Sequence, residues 1–222
     1  MINQQKDPQT QIVIFAKYPS AGQVKTRLIP ALGEDKAAQL AERLLQHTLM
    51  QALDSGYPVE LCGSPAAEQP CWQLLNLPST LQHTSQCDGD GNNDLGARMA
   101  QAAQRVLATQ RNVILIGTDC PSLDAATLRH AAEKLEQQLV QHDAVIIPAS
   151  DGGYVLLGLR RFDRSLFEGI AWSSATVYAD TLQRLQALKW SICTLPTLHD
   201  IDEPEDFRHL PADWQANFYC DF

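Results

Sequence analysis

A chain of 222 residues with 45% hydrophobic side chains is long enough for one α/β domain around a single well-buried core. Its net charge of −9, with 17 Lys and Arg scattered and no basic patch, excludes a nucleic-acid-binding face of the ordinary electrostatic kind. The six cysteines lack Cys-x-x-Cys or zinc-ligand spacing, Met1 to Thr10 is polar, and no apolar run nears the roughly 18 to 20 residues that span a bilayer. A cytoplasmic protein with reduced thiols, no nucleic-acid partner and no membrane partner is expected.

Residues 1–10 are read as a flexible N-terminal extension and 11–222 as one domain. Gln11 to Ala16 is an apolar run between polar residues, hence a first buried strand. The following loop, Lys17 to Arg27, is longer than the 2 to 6 residues usual in βα connections and carries the cations Lys17, Lys25 and Arg27. Glu34 to Ser55 has Leu40, Leu44, Leu45, Leu49 and Leu53 on one helical face. Pro58 to Cys62 predicts a second strand, Ser64 to Asn76 a helix packing through Trp72 and Leu75, and Leu81 to Thr84 a short third strand. Gln86 to Asp94 holds the strongest turn signal, Cys-Asp-Gly-Asp-Gly-Asn-Asn-Asp, before a helix near Leu95 to Ala108 capped by Asn93 or Asp94.

Val113 to Ile116 predicts a central strand buried on both faces, interrupted by Gly117 and Pro121. Asp124 is placed to cap a helix from Ala125 to Leu139 with Leu128, Ala132, Leu135 and Leu139 inward. Asp143 to Pro148 and Tyr154 to Leu159 predict strands on either side of Asp151-Gly152-Gly153. Ser173 to Leu188 predicts a helix with Val177, Thr181, Leu185 and Leu188 inward, Trp190 to Leu195 a last strand, and Pro204 to His209 a short helix. Strands alternating with helices indicate a three-layer α/β/α arrangement around a mostly parallel sheet.

Four polar clusters follow predicted strands: Lys25/Arg27, Asp119, Asp151-Gly-Gly and Asp200/Asp202. In a doubly wound sheet such ends share one edge, where ligands bind. Cations facing carboxylates there suit a metal-bound diphosphate or triphosphate, the metal bridging carboxylate and phosphate oxygens. Asp119, with Asp200 or Asp202, is the candidate metal set, and Mg²⁺ or Mn²⁺ the candidate ion. Each has a structural alternative. Asp119 serves equally in closing a turn, and Asp200 and Asp202 in supplying an acidic helix start. Lys25 and Arg27 oppose a helix macrodipole, which favours phosphate binding over a structural role. Asp151-Gly152-Gly153 permits close backbone approach to a ligand or makes a plain hairpin turn. Trp172 suits core packing or stacking, and Ser173 or Ser174 a helix cap. There is no Walker loop and no Gly-x-Gly-x-x-Gly fingerprint.

The segments Phe15-Ala-Lys-Tyr-Pro-Ser-Ala-Gly-Gln-Val-Lys-Thr-Arg-Leu28, Asp94-Leu-Gly-Ala-Arg-Met99, Gly117-Thr-Asp-Cys-Pro-Ser-Leu-Asp124, Asp151-Gly-Gly-Tyr-Val-Leu-Leu-Gly158, Trp172-Ser and Asp200-Ile-Asp occur in this order. Together they resemble the small transferases found beside radical-SAM and selenodomain proteins, labelled arsenosugar-type glycosyltransferases or left as a domain of unknown function. The resemblance runs from about residue 11 to 207. It implies a nucleotide-diphospho-sugar transferase (glycosyltransferase A) fold, with the nucleotide over the amino-terminal half of a mixed, mostly parallel sheet. Lys25-Thr-Arg-Leu is also similar to the phosphate loop of 2-phospholactate and molybdenum-cofactor guanylyltransferases.

The resemblance implies a nucleotide at Ala16, Lys17, Gly22, Lys25, Arg27, Asp94, Gly96 and Thr118. It implies catalytic roles for Lys25, Arg27 and Asp119, and metal ligation by Asp119 with Asp200 or Asp202. Sugar or acceptor falls to Asp151, Gly152, Gly153, Tyr154, Trp172 and Ser173. The expected function is metal-dependent transfer of a glycosyl group from a nucleoside-diphosphate sugar to a small-molecule acceptor. Nucleotidyl transfer from an NTP to a small phosphorylated acceptor, with release of pyrophosphate, is the close alternative. A non-catalytic nucleotide-binding protein is the third.

Overall fold

The computed structural model describes residues 9–86, 94–137 and 139–218. The turn run Cys87 to Asn93, the Asn93 cap and most of the N-terminal extension lie outside the described residues. The chain opens with β1 (Thr10–Lys17), then α1 (Ile29–Leu32) and the long α2 (Glu34–Asp54). β2 (Val59–Ser64), β3 (Gln82–Ser85), α3 (Leu95–Leu107), β4 (Asn112–Ile116) and α4 (Ala125–Glu136) follow. β5 (Ala144–Pro148), β6 (Tyr154–Leu159), α5 (Val177–Ala187), β7 (Ile192–Thr194) and α6 (Ala212–Phe218) complete it.

The strands form one seven-stranded sheet in the order β3-β2-β1-β4-β6-β5-β7. All neighbouring pairs are parallel except those of β6, which runs against both β4 and β5. The link from Ala149 to Gly153 is too short for a crossover, so β6 must reverse direction. Alternate strand residues feed opposite layers. Ile12, Ile14, Ile114, Ile116, Val145 and Ile147 pack with Leu49 of α2 and Leu128 and Leu135 of α4. Val13, Val113, Leu115 and Ile146 pack on the other side with Met99 and Val106 of α3 and Leu185 of α5. A third cluster joins Leu28, Leu32, Leu40 and Leu44 to Ile201, Phe207, Leu210 and Trp214, tying the C-terminal segment to the outer face of α2.

Some expected elements are shorter. Ser64 to Asn76 is not an α-helix: only a 3₁₀ segment, Pro70–Leu74, forms, because Pro65 and Pro70 lack the N–H groups a helix needs. Trp72 and Leu75 are nonetheless buried. α4 stops at Glu136, leaving Leu139 fully exposed instead of inward, and Leu53 of α2 also faces solvent in part. α5 begins at Val177, not Ser173, because residues 173–176 form a turn docked on the β5–β6 connection. No helix of the described residues is long and apolar enough to cross a membrane.

Candidate functional site

β1, β4, β5 and β7 run in the same direction, so the loops after them meet at one edge of the sheet. There they enclose a cleft of about 780 Å³. Its centre is set by Ile201, the single apolar residue in an acidic run. Ile201 is fully buried in the third cluster. Its N–H donates to the Asp119 carbonyl at 2.9 Å, and its own carbonyl accepts from Lys25 Nζ at 2.5 Å. Burial of one side chain thereby joins the loop after β1, the loop after β4 and the turn after β7.

Lys25 Nζ also contacts Asp119 Oδ1 at 2.5 Å and Asp202 Oδ1 at 3.0 Å, and only 6% of the Lys25 side chain is exposed. Burial alone would lower its pKa, but the charges of Asp119 and then Asp202 outweigh that and hold the ammonium raised above its ordinary value. The ammonium therefore sits among three oxygens much as a metal ion would. Arg27 is different: it is largely exposed and reaches Glu203 at 3.6 Å.

Oxygens of Asp151, Asp200 and Asp202 all lie within 4.8 Å of one another. The sequence pointed to Asp119 with Asp200 or Asp202; in the structure Asp200 and Asp202 also group with Asp151, and Lys25 bridges Asp119 to Asp202. Burial and then the charge of Asp151, with those of Asp202 and Asp119, push the Asp200 carboxyl up to about 6. Three crowded carboxylates, of which Asp202 is paired with Lys25, fit a hard divalent cation, which would offset both the burial and the repulsion that raise Asp200.

The remaining expected site residues divide in two. Ala16, Lys17, Asp94 and Thr118 line the cleft, as do Gly153, Tyr154, Trp172 and Ser173. Gly22, Gly96 and Gly152 are not among the lining residues, and each serves the backbone. Gly22 has φ of 75° beside the Glu34 carboxylate. A Cβ on Gly96 would lie 2.6 Å from Trp172 Nε1 and collide with the Phe167 carbonyl. Gly152 has φ of 93°, and a Cβ there would collide with the backbone of Ala175. Asp94 accepts from the Gly96 N–H at 2.8 Å, so it caps α3 as well as facing the cleft. Asp151 accepts from the Gly153 N–H at 2.8 Å and shapes its own turn.

Sequence reasoning passed over Gln86 and Arg98, which form the wall beside β1 and β2. Gln86 Nε2 donates to the carbonyls of Ala16 and Cys62 at 3.1 and 3.0 Å, and its Oε1 accepts from Arg98 at 2.7 Å. Arg98 stood inside the Asp94 to Met99 segment, where its position one helical turn after the cap was the available signal. Of the four described non-glycine residues with positive φ, Gln110 and Lys189 lie just past the ends of α3 and α5, where helices commonly exit left-handed. The other two, Lys25 (47°) and Ser173 (65°), both line the cleft.

A protein of known structure from Desulfovibrio desulfuricans G20, provisionally named a nucleotide-diphospho-sugar transferase, is 32% identical to this chain. The match covers 88% of this chain and 83% of that one, with a TM-score of 0.79. CMP:2-keto-3-deoxy-manno-octonic acid synthetase complexed with CTP shares 11% identity over 94% and 98% of the two chains, with a TM-score of 0.57. A 4-diphosphocytidyl-2C-methyl-D-erythritol synthase from Anaerococcus prevotii DSM 20548 shares 12% over 89% and 94%, with a TM-score of 0.53. At such identities the last two speak to the fold alone. Among curated proteins no match is found. The mixed seven-stranded sheet and the first of these likenesses establish an α/β fold of the nucleotide-diphospho-sugar transferase (glycosyltransferase A) type. Residues 48–174, a span that includes Asp119 and Asp151, match the model of one family, and the chain belongs to that family, described as "Uncharacterized protein conserved in bacteria (DUF2064)".

Proposed function

We propose that this protein is a divalent-cation-dependent transferase that takes a nucleoside-diphosphate sugar as donor and passes the glycosyl group to a small acceptor. The observation that carries this reading is the meeting of Lys25 with Asp119 and Asp202 beside the Asp151–Asp200–Asp202 group in one cleft. The 32% identical relative with its nucleotide-diphospho-sugar name supports it. The narrower likeness to transferases found beside radical-SAM and selenodomain proteins points the same way.

Asp151, Asp200 and Asp202 would hold Mg²⁺ or Mn²⁺, and the ion would neutralise the diphosphate. Lys17 and Arg27, exposed residues of the cleft lining, would balance the remaining charge of the departing nucleoside diphosphate. Lys25 fixes Asp119 and Asp202. In the transfer, the acceptor oxygen bonds to the anomeric carbon, the bond from that carbon to the diphosphate oxygen breaks, and the acceptor proton is released.

Nucleotidyl transfer is the second reading, favoured by one observation: Lys17, Lys25 and Arg27 all come from β1 and the loop after it, which suits a triphosphate. Thermal-shift titration with NTPs and NDP-sugars, each with Mg²⁺ or Mn²⁺, separates the two. We expect stabilisation by at least one NDP-sugar, and stabilisation by NTPs alone would overturn glycosyl transfer. Binding of both without turnover across acceptors would identify a non-catalytic nucleotide-binding protein.

A further inference from the structure

We infer that the end of the cleft formed by Tyr154, Trp172 and Ser173 receives an uncharged, hydroxyl-bearing group such as a neutral hexosyl unit, and discriminates against phosphorylated or carboxylated groups. This rests on the donor-site reading above and adds to it the chemical class of the second moiety.

Charge around the cleft is divided unevenly. Its cations are Lys17, Lys25, Arg27 and Arg98. The first three belong to β1 and its loop, and Arg98 is hydrogen-bonded to Gln86, which is itself held by carbonyls of β1 and β2. The lining residues contributed by β6 and by residues 172–177 include no Lys or Arg, and Asp151, between β5 and β6, has a carboxylate oxygen within 4.8 Å of those of Asp200 and Asp202. With the charge of the cation already taken up by the three carboxylates and the diphosphate, an anionic group at this end would meet Asp151 and no Lys or Arg of the lining.

What the wall does offer is an aromatic face and hydroxyls. Trp172 is half-buried, its indole nitrogen packed so closely on the first turn of α3 that only glycine fits at position 96. A fixed indole presents apolar surface without an ordering cost, suited to the C–H face of a sugar ring. Ser173 is exposed and held at φ of 65° outside any helix exit, and its hydroxyl makes no hydrogen bond to a described residue. Its neighbour Ser174 is already engaged with Thr176 at 3.0 Å. The Tyr154 hydroxyl is buried, with no hydrogen-bond partner among the described residues, and its ring backs the wall. Backbone strain of the kind seen at Ser173 clusters at functional sites, and the exposed Ser173 hydroxyl can exchange its water for a ligand hydroxyl.

Calorimetry with Mn²⁺ present tests this. ADP, CDP, GDP, UDP and dTDP are titrated first, and for each base that binds, its conjugates with a neutral hexose and with the matching hexuronate follow. The hexose conjugate is expected to bind about tenfold tighter than the diphosphate alone, and the hexuronate conjugate no tighter than the diphosphate. Ser173→Ala is expected to shrink the hexose gain to about twofold while leaving affinity for the diphosphate itself unchanged. A purely structural Ser173 would move both affinities together. Equal or tighter binding of the hexuronate, or a full hexose gain in Ser173→Ala, overturns the inference. If a diphosphate binds and the hexose adds nothing, the inference alone fails. If no diphosphate binds, the donor-site reading fails and takes the inference with it.

Discussion

Lys25 is the residue on which the site turns, and its role differs from that of a free phosphate clamp. Its ammonium is bonded to two carboxylates and a carbonyl, while Asp119 and Asp202 remain 47% and 38% exposed. Lys25→Met keeps the volume and removes the charge. Because water can hydrate the abandoned carboxylates, the loss is expected at about 1–2 kcal/mol, below the 3–5 typical when a fully buried pair is broken. Urea denaturation without metal measures it, and an unchanged midpoint would show that the pair contributes nothing. Asp200 gives a second test. Its folded pKa of about 6 lies above the ordinary 3.8, so the folded state holds a proton the unfolded chain has released. Ionised Asp200 therefore opposes folding above pH 6, and that penalty fades as pH falls through 6 toward 3.8. A bound divalent cation reverses the preference by favouring the ionised form. The rise in melting temperature caused by Mn²⁺ should be largest near neutral pH and shrink below about 6. A rise independent of pH between 5 and 8 would remove Asp200 from the ligand set.

Elements governed by local chemistry were legible in the sequence. Asp124 and Asp94 cap their helices, accepting from Thr127 at 2.7 Å and Gly96 at 2.8 Å, because capping needs only the right side chain before an apolar periodic run. The start of α5 misled for the same reason. Trp172-Ser173-Ser174 has the composition of a cap, yet this stretch is drawn away by packing against the β5–β6 connection, with the Tyr178 N–H bonded to the Gly152 carbonyl at 2.8 Å. That docking is tertiary, and no periodicity encodes it. It also makes a prediction. Gly152→Ala introduces a Cβ into the Ala175 backbone at a φ that disfavours alanine, and should cost about 2 kcal/mol. Since Asp151 rides on the same turn, Mn²⁺ affinity should fall as well. Retained affinity in a destabilised Gly152→Ala would show that Asp151 is not held by this contact.

At the scale of the molecule, the sequence indicated that strand ends converge but not which carboxylates meet. Sheet order decides that: inserting the reversed β6 between β4 and β5 places the Asp151 turn next to the β7 exit, while Asp119 falls toward β1 and Lys25. The C-terminal segment then has to be pinned in place. The pinning is hydrophobic, through the side chains of Ile201 and Phe207 packed with Leu28, Leu40 and Leu44, none of which lines the cleft. Stability and binding should therefore be coupled through this cluster and not through the main core. Phe207→Ala is expected to cost about 3–5 kcal/mol and Leu185→Ala, in the layer under α5, about 2–5. Measured on folded protein at low temperature, Mn²⁺-dependent donor binding should weaken severalfold in Phe207→Ala, because the Asp200 to Asp202 turn loses its anchor. In Leu185→Ala it should stay near the parent value. Equal effects of the two variants on binding, after correction for the folded fraction, would mean that the turn is held by its polar contacts to Lys25 and Asp119 and that the third cluster contributes only to stability.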